Sequence, residues 1–251
     1  MIKKEKMRVI SSRQVAKDTT EMVLQNTYIS ETSVPGQFLH IFLDGHTLRR
    51  PISIADINKD RQTVTILFKK LGDGTEQLAK VTEGMLLDVL GPSGNGFDMC
   101  LEEGDTALLI GGGIGVPPMY SLGKKYSERN IQVVSVLGFQ SKEYVFYEEK
   151  FKELGKTHIV TNDGSYGAKG FVTDVLCKVR GFDHYYSCGP IPMLKSVKNT
   201  LEGKRGSISL EERMGCGIGA CYACVVPAQT EEGYKKICSD GPVFDVLEVV
   251  L

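Results

Sequence analysis

Up to about residue 97, apolar and polar positions alternate in short runs broken by turn residues. These are MRVISSRQVA (7–16), TEMVLQN (20–26), GQFLHIFL (36–43), RRPISIADI (49–57), QTVTILFKKLG (62–72) and GMLLDVLGPSG (84–94). Alternation with period two turns one strand face inward and the other outward. Six such runs at roughly even spacing, with proline and glycine between them, predict a small antiparallel β-barrel. From about 105 the rhythm changes. The apolar runs TALLIGGG (106–113), QVVSVLGF (132–139), THIVTND (157–163) and HYYSCGP (184–190) alternate with helix-like stretches. Those stretches are PPMYSLGKKYSER (117–129), YVFYEEKFKEL (144–154), GFVTDVLCKV (170–179) and PMLKSVKNTL (192–201). Strand and helix in alternation predict a parallel sheet covered on both faces. After EGKRG (202–206) comes a cysteine-rich tail, too short to bury much core by itself, so ligands rather than apolar packing are expected to order it. The pattern divides the chain into a barrel domain (1–100), an α/β domain (101–206) and the tail (207–251).

Composition narrows the chemistry. The 251 residues carry 30 Lys and Arg against 31 Asp and Glu, a net charge of −1. No global positive field is available for phosphate backbones, so no nucleic-acid partner is expected. Basic residues open the chain (MIKKEKMRVISSRQ) with no apolar run behind them, and no stretch approaches the ~20 apolar residues of a membrane span. A cytoplasmic protein without membrane contact is expected. An odd count of seven cysteines, four of them in the tail, fits ligand chemistry better than a disulfide framework.

Three stretches carry candidate chemistry. In LLIGGGIGVPPM (108–119) an apolar strand runs into Gly111, Gly112, Gly113 and Gly115, and a helix then opens at Pro117 and Pro118. Glycines permit close backbone approach, and a helix N-terminus offers free N–H groups, so a pyrophosphate fits. The spacing departs from G-x-G-x-x-G, because position 116 is Val, and a packing turn is the alternative. RRPISIAD (49–56) puts Arg50, whose planar fork suits phosphate, near Ser53, whose hydroxyl can reach a ring nitrogen. A barrel rim with a surface ion pair is the plainer account. In ERMGCGIGACYACVVPA (212–228), Cys216, Cys221 and Cys224, with Cys238 downstream, form C-x4-C-x2-C-x13-C. Structural zinc sites tend to pair their ligands at a distance. Three cysteines within nine residues, interleaved with Gly217, Gly219 and Ala220, instead have the plant-type spacing of a 2Fe-2S cluster.

The order R-P-I-S, then G-G-G-I-G-V-P-P-M, then CGPIPML (188–194) resembles the ferredoxin–NADP reductase superfamily over nearly the whole chain. That resemblance implies FAD along Arg50, Pro51, Ile52 and Ser53, with Leu67, Phe68, Lys69, Gly74 and Thr75 closing the flavin site. It places a nicotinamide nucleotide over Gly112, Gly113 and Gly115, and Cys188 beside the nicotinamide, where a buried structural thiol is the alternative. Cys100 and Cys177 default to structural roles, Cys177 in a core helix. GFQSKEYVFYEE (138–149) has no arginine cluster for a 2′-phosphate, which favours NAD. A cluster moves single electrons, a nicotinamide takes a hydride, and a flavin handles both, so FAD is expected between them.

Within the superfamily, SLEERMGCGIGACYACVV (209–226) is similar to the electron-transfer subunits of NAD-linked dihydroorotate dehydrogenases. The resemblance implies a hetero-oligomer with an FMN-containing catalytic subunit and a role in pyrimidine biosynthesis. Relatives of the same layout serve hydrogenases and ferredoxin-dependent transhydrogenases. A regulatory module without turnover is the alternative of another class.

Overall fold

The computed structural model describes all 251 residues. Six strands close the expected barrel: β1 (Lys3–Ala16), β2 (Thr19–Gln25), β3 (Phe38–Phe42), β4 (Arg50–Asn58), β5 (Thr63–Lys69) and β6 (Leu86–Ser93), in the order β1-β2-β5-β4-β3-β6. Alternation decides which side chains fill it. On β3, Leu39 and Ile41 point into a core with Met7, Met22, Ile54 and Phe68, while Phe38 and His40 point out. Two short helices escape the period reading, α1 (Thr27–Thr32) and α2 (Asp73–Ala79). Asn26 caps α1 by accepting the Ile29 N–H (2.9 Å), and Thr75 Oγ1 accepts from the N–H groups of Leu71 (2.9 Å) and Gly72 (3.3 Å) at the start of α2.

The second sheet contains β7 (Thr106–Gly112), β8 (Gln132–Phe139), β9 (Gly155–Thr161), β10 (Ala168–Lys169), β11 (His184–Cys188) and β12 (Gly206–Ser209), paired in parallel. Its helices are α3 (Val116–Ser127), α4 (Glu148–Leu154), α5 (Val172–Leu176) and α6 (Ile191–Thr200). On β7, Ala107 and Leu109 pack with Met119 of α3 and Phe151 of α4, whereas Leu108 and Ile110 pack with Val175 of α5 and Leu194 of α6. Both faces are therefore covered, which is why these strands read as unbroken apolar runs. None of the helices is long and apolar enough to cross a membrane.

The tail departs from expectation. A hairpin of β13 (Val225–Pro227) and β14 (Tyr234–Lys236) precedes β15 (Val243–Asp245), which pairs antiparallel with β12 at the edge of the second sheet. Met214, Val226, Ile237, Phe244 and Val249 are buried in the same core as α5 and α6. Apolar packing thus orders much of the tail, and a division after 206 runs through β12. The expected core position of Cys177 is also corrected. It is exposed at the C-terminal end of α5, because the buried Val172, Val175, Leu176 and Val179 share one face and Cys177 lies off it.

Candidate functional site

Two cavities adjoin where the barrel meets the second sheet, and Lys69, Leu71, Ile114 and Glu211 line both. The smaller, ≈ 330 Å³, is walled by β4 and β5. Arg50, Pro51, Ile52 and Ser53 line it from β4, and Leu67, Phe68 and Lys69 from β5, with Thr75 of α2 at its rim. Gly74 does not line it directly. A Cβ there would fall 2.3 Å from Arg50 Nε, so the guanidinium lies flat on the first turn of α2 and needs that glycine. The Arg50 fork also contacts His46 Nδ1 (3.0 Å) and donates to the Leu48 carbonyl oxygen. A cavity that combines the apolar side chains of Ile52, Leu67 and Phe68 with the guanidinium groups of Arg50 and Arg213 suits a planar ring joined to phosphates.

The larger cavity, ≈ 670 Å³, opens at the carboxyl ends of β7 and β8, the usual ligand position in an open α/β sheet. Gly112 and Gly113 line it. Gly115 serves packing instead, because a Cβ there would lie 2.3 Å from the Cys188 carbonyl oxygen. Cys188 itself is buried in the α3/α4 core, and its neighbours Gly189 and Pro190 form the wall. Burial pushes the Cys188 thiol well above its ordinary range, so it is a neutral packing group.

The tail cysteines occupy the loop between β12 and β13 and the end of β14. The Cys221 N–H donates to Cys216 Sγ (3.3 Å), as does the Ile218 N–H (3.5 Å), and the Cys216 N–H donates to Cys221 Sγ (3.4 Å). The Gly219 N–H donates to Cys238 Sγ (3.2 Å). Burial works to raise the Cys216 thiol, yet the amides of Ile218 and Cys221 outweigh it and bring the pKa to about 7. Cys238 is pushed up to about 12, first by burial and then by the Cys224 thiol beside it. Cys216 lies beside Cys221 and Cys224 beside Cys238, and the Cys216 thiol also acts on Cys238, so the four thiols gather as one set with the spacing of 2Fe-2S ligands.

Sequence patterns missed two residues here. Glu211 faces both cavities while remaining open to solvent. Nothing in SLEERM separates it from Glu212. His40, on an ordinary outward strand position, is fully buried beneath the cysteine loop.

Residues 109–199 match the oxidoreductase NAD-binding domain, and residues 211–250 match the iron-sulfur cluster binding domain of dihydroorotate dehydrogenase B. Among solved structures, the NADH-dependent reduced ferredoxin-NADP oxidoreductase superposes with a TM-score of 0.88 at 31% identity, over 97% of this chain and 89% of that one. A ferredoxin reductase of carbazole 1,9a-dioxygenase shares the fold at a TM-score of 0.69 and 20% identity, over 81% of this chain and 66% of that one. The dihydroorotate dehydrogenase B (NAD(+)) electron transfer subunit of Bacillus mycoides (strain KBAB4) is 50% identical over the full length of both chains. That of Bacillus cereus (strain B4264) is 49% identical, again over both full lengths. Sharing about half its residues with these relatives over the full length of both chains, the chain belongs to the family of dihydroorotate dehydrogenase B (NAD(+)) electron transfer subunits.

Proposed function

We propose that this chain passes electrons from the FMN of a dihydroorotate dehydrogenase catalytic subunit to NAD+, as one subunit of a cytoplasmic hetero-oligomer in pyrimidine biosynthesis. The observation that carries the reading is the adjacency of the two cavities, which meet at Lys69, Leu71, Ile114 and Glu211, with Arg213 and Met214 leading from the smaller one into the cysteine loop. FAD, when bound, exchanges single electrons with a 2Fe-2S cluster and a hydride with a nicotinamide.

The chain's own residues bind and orient. Arg50, seated on Gly74, would hold the flavin's pyrophosphate, and Pro51, Ile52, Ser53, Leu67, Phe68, Lys69 and Thr75 line the pocket that would take the rest of the group. Gly112 and Gly113 let the nucleotide's phosphates approach the backbone, and Gly115 seats that loop on β11. Cys188 positions the nicotinamide only through its backbone, by setting where Gly189 and Pro190 stand. Cys216, Cys221, Cys224 and Cys238 hold the cluster. Ile114 lines both cavities where they meet.

The isolated chain, loaded with its cofactors, is expected to oxidise NADH with an artificial dye and to leave dihydroorotate untouched. Adding the FMN-bearing subunit should create dihydroorotate-dependent NAD+ reduction. A chain that binds no such subunit, or a Cys221→Ser variant that still couples at the normal rate, would overturn the proposal. The 31% identity to a ferredoxin-linked oxidoreductase favours a second reading, a transhydrogenase subunit, which requires coupling to ferredoxin instead. A regulatory module would show neither activity.

A further inference from the structure

His40 sits midway along β3, where its backbone pairs with Pro51 of the R-P-I-S strand and with Leu90 of β6. Its ring leaves the barrel's outer face and has no solvent exposure. What covers it is the cysteine loop. A Cβ on Gly217, the residue after Cys216, would lie 2.2 Å from His40 Nδ1 and 2.6 Å from Cε1. The loop backbone therefore rests directly on the imidazole.

Both ring nitrogens lack a hydrogen-bond partner. Leaving even one buried polar atom unpaired costs about 1–3 kcal/mol. Such an atom in a well-packed wall points to a partner that arrives with the holoprotein. Burial, then the Arg49 and Arg50 charges, bring the imidazole's pKa down to about 4. At neutral pH it is thus uncharged and offers one N–H donor. Gly217 directly follows Cys216, one of the four cluster cysteines, and sulfur accepts such a donor.

Resting on the cluster assignment above, we propose that His40 is a positioning residue that donates a ring N–H to a sulfur of the loaded 2Fe-2S cluster. The contact ties the cysteine loop to the strand that pairs with the flavin motif. Hydrogen bonds to sulfur are among the factors that set cluster potentials, and donors favour the reduced, more negative state.

The test uses the holoprotein purified without oxygen and labelled with ¹⁵N-histidine. Pulsed electron paramagnetic resonance of the dithionite-reduced cluster is expected to show coupling to a histidine nitrogen, lost in His40→Gln. In His40→Leu the cluster should be about tenfold harder to reduce, about 59 mV for one electron, while the amide of His40→Gln restores part of that shift. If His40→Leu fails to assemble, the wild-type coupling and its loss in His40→Gln decide. A cluster signal without histidine coupling, or a His40→Leu potential equal to wild type, would overturn the inference alone. No cluster signal in the wild type would overturn the cluster assignment and this inference together.

Discussion

Gly115 and Gly217 are glycines for different reasons, and each reason predicts a different loss. Gly115 lies against the Cys188 carbonyl without an unusual φ, so a methyl group there must push the glycine loop off β11. Gly115→Ala is expected to weaken NADH binding at least tenfold, read from NADH titration of flavin bleaching, while bound FAD remains stoichiometric. Gly217 has a φ of +70°, the left-handed region, and also bears on the His40 ring. Arg50→Ala should weaken FAD by about 1.5–3 kcal/mol, the range of a charge-assisted hydrogen bond. Full retention of FAD by equilibrium dialysis would place the flavin elsewhere. At this scale the sequence was legible wherever chemistry followed from residue type and spacing, as for the four cysteines and Arg50. It was not legible for His40, whose character comes from enclosure by a segment distant along the chain, nor for Glu211, whose place between two cavities is set by the tertiary fold. An imidazole between Leu39 and Ile41 reads as a solvated strand position until the loop at 217 folds over it.

Strand and helix placement was legible where a period had room to repeat. The six barrel strands and four α/β units all carry one. The helices α1 and α2 are held by local caps at Asn26 and Thr75, and neither is long enough to display an apolar stripe. β15 escaped for the same reason, with three residues whose partner lies on β12. That strand changes what cluster loss should do. Cys221→Ser is expected to abolish the 2Fe-2S absorption and loosen residues around 215–224, yet β15 amides should stay protected in hydrogen exchange. Phe244, buried on β15 with the Gly241 backbone against its ring, packs the tail into the second sheet's core. Phe244→Ala should cost about 3–5 kcal/mol in urea unfolding. Unprotected β15 amides in the cysteine variant would restore the view that ligands alone order the tail.

Across the whole molecule, two clamps built on partly buried carboxylates join the barrel to the nucleotide sheet, beside an exposed pair of Lys17 with Glu143 at 2.6 Å. Glu21 of β2, 5% exposed, accepts from the Tyr147 hydroxyl and pairs with Lys150 of α4 at 3.4 Å and with Arg13 at 2.6 Å. Lys124 of α3 meets Asp56 of β4 at 2.6 Å. Burial alone would raise the Glu21 carboxyl, but the hydrogen bonds from Tyr147 and Arg13 and the Lys150 charge outweigh it and hold it below 4.5. The unfolded chain therefore takes up this proton first, so the clamp is complete above pH 4.5 and weakens as pH falls toward the folded value. Glu21→Gln should lose about 1.5–3 kcal/mol at pH 7 and show a flatter acid limb than wild type in pH-dependent thermal melts. An equal slope in both proteins would remove Glu21 from the clamp. The tail adds a third fastening, since Asn95 beyond β6 donates to the carbonyls of Ser239 (3.2 Å) and Asp240 (2.9 Å) while β15 extends the second sheet. A segment sewn to both bodies leaves no hinge between them. The separation from the cysteine loop to the flavin slot is then a fixed length rather than a fluctuating one. Transfer across it should follow a single exponential and ignore solvent viscosity, so that flash reduction in buffer and in glycerol gives the same internal rate.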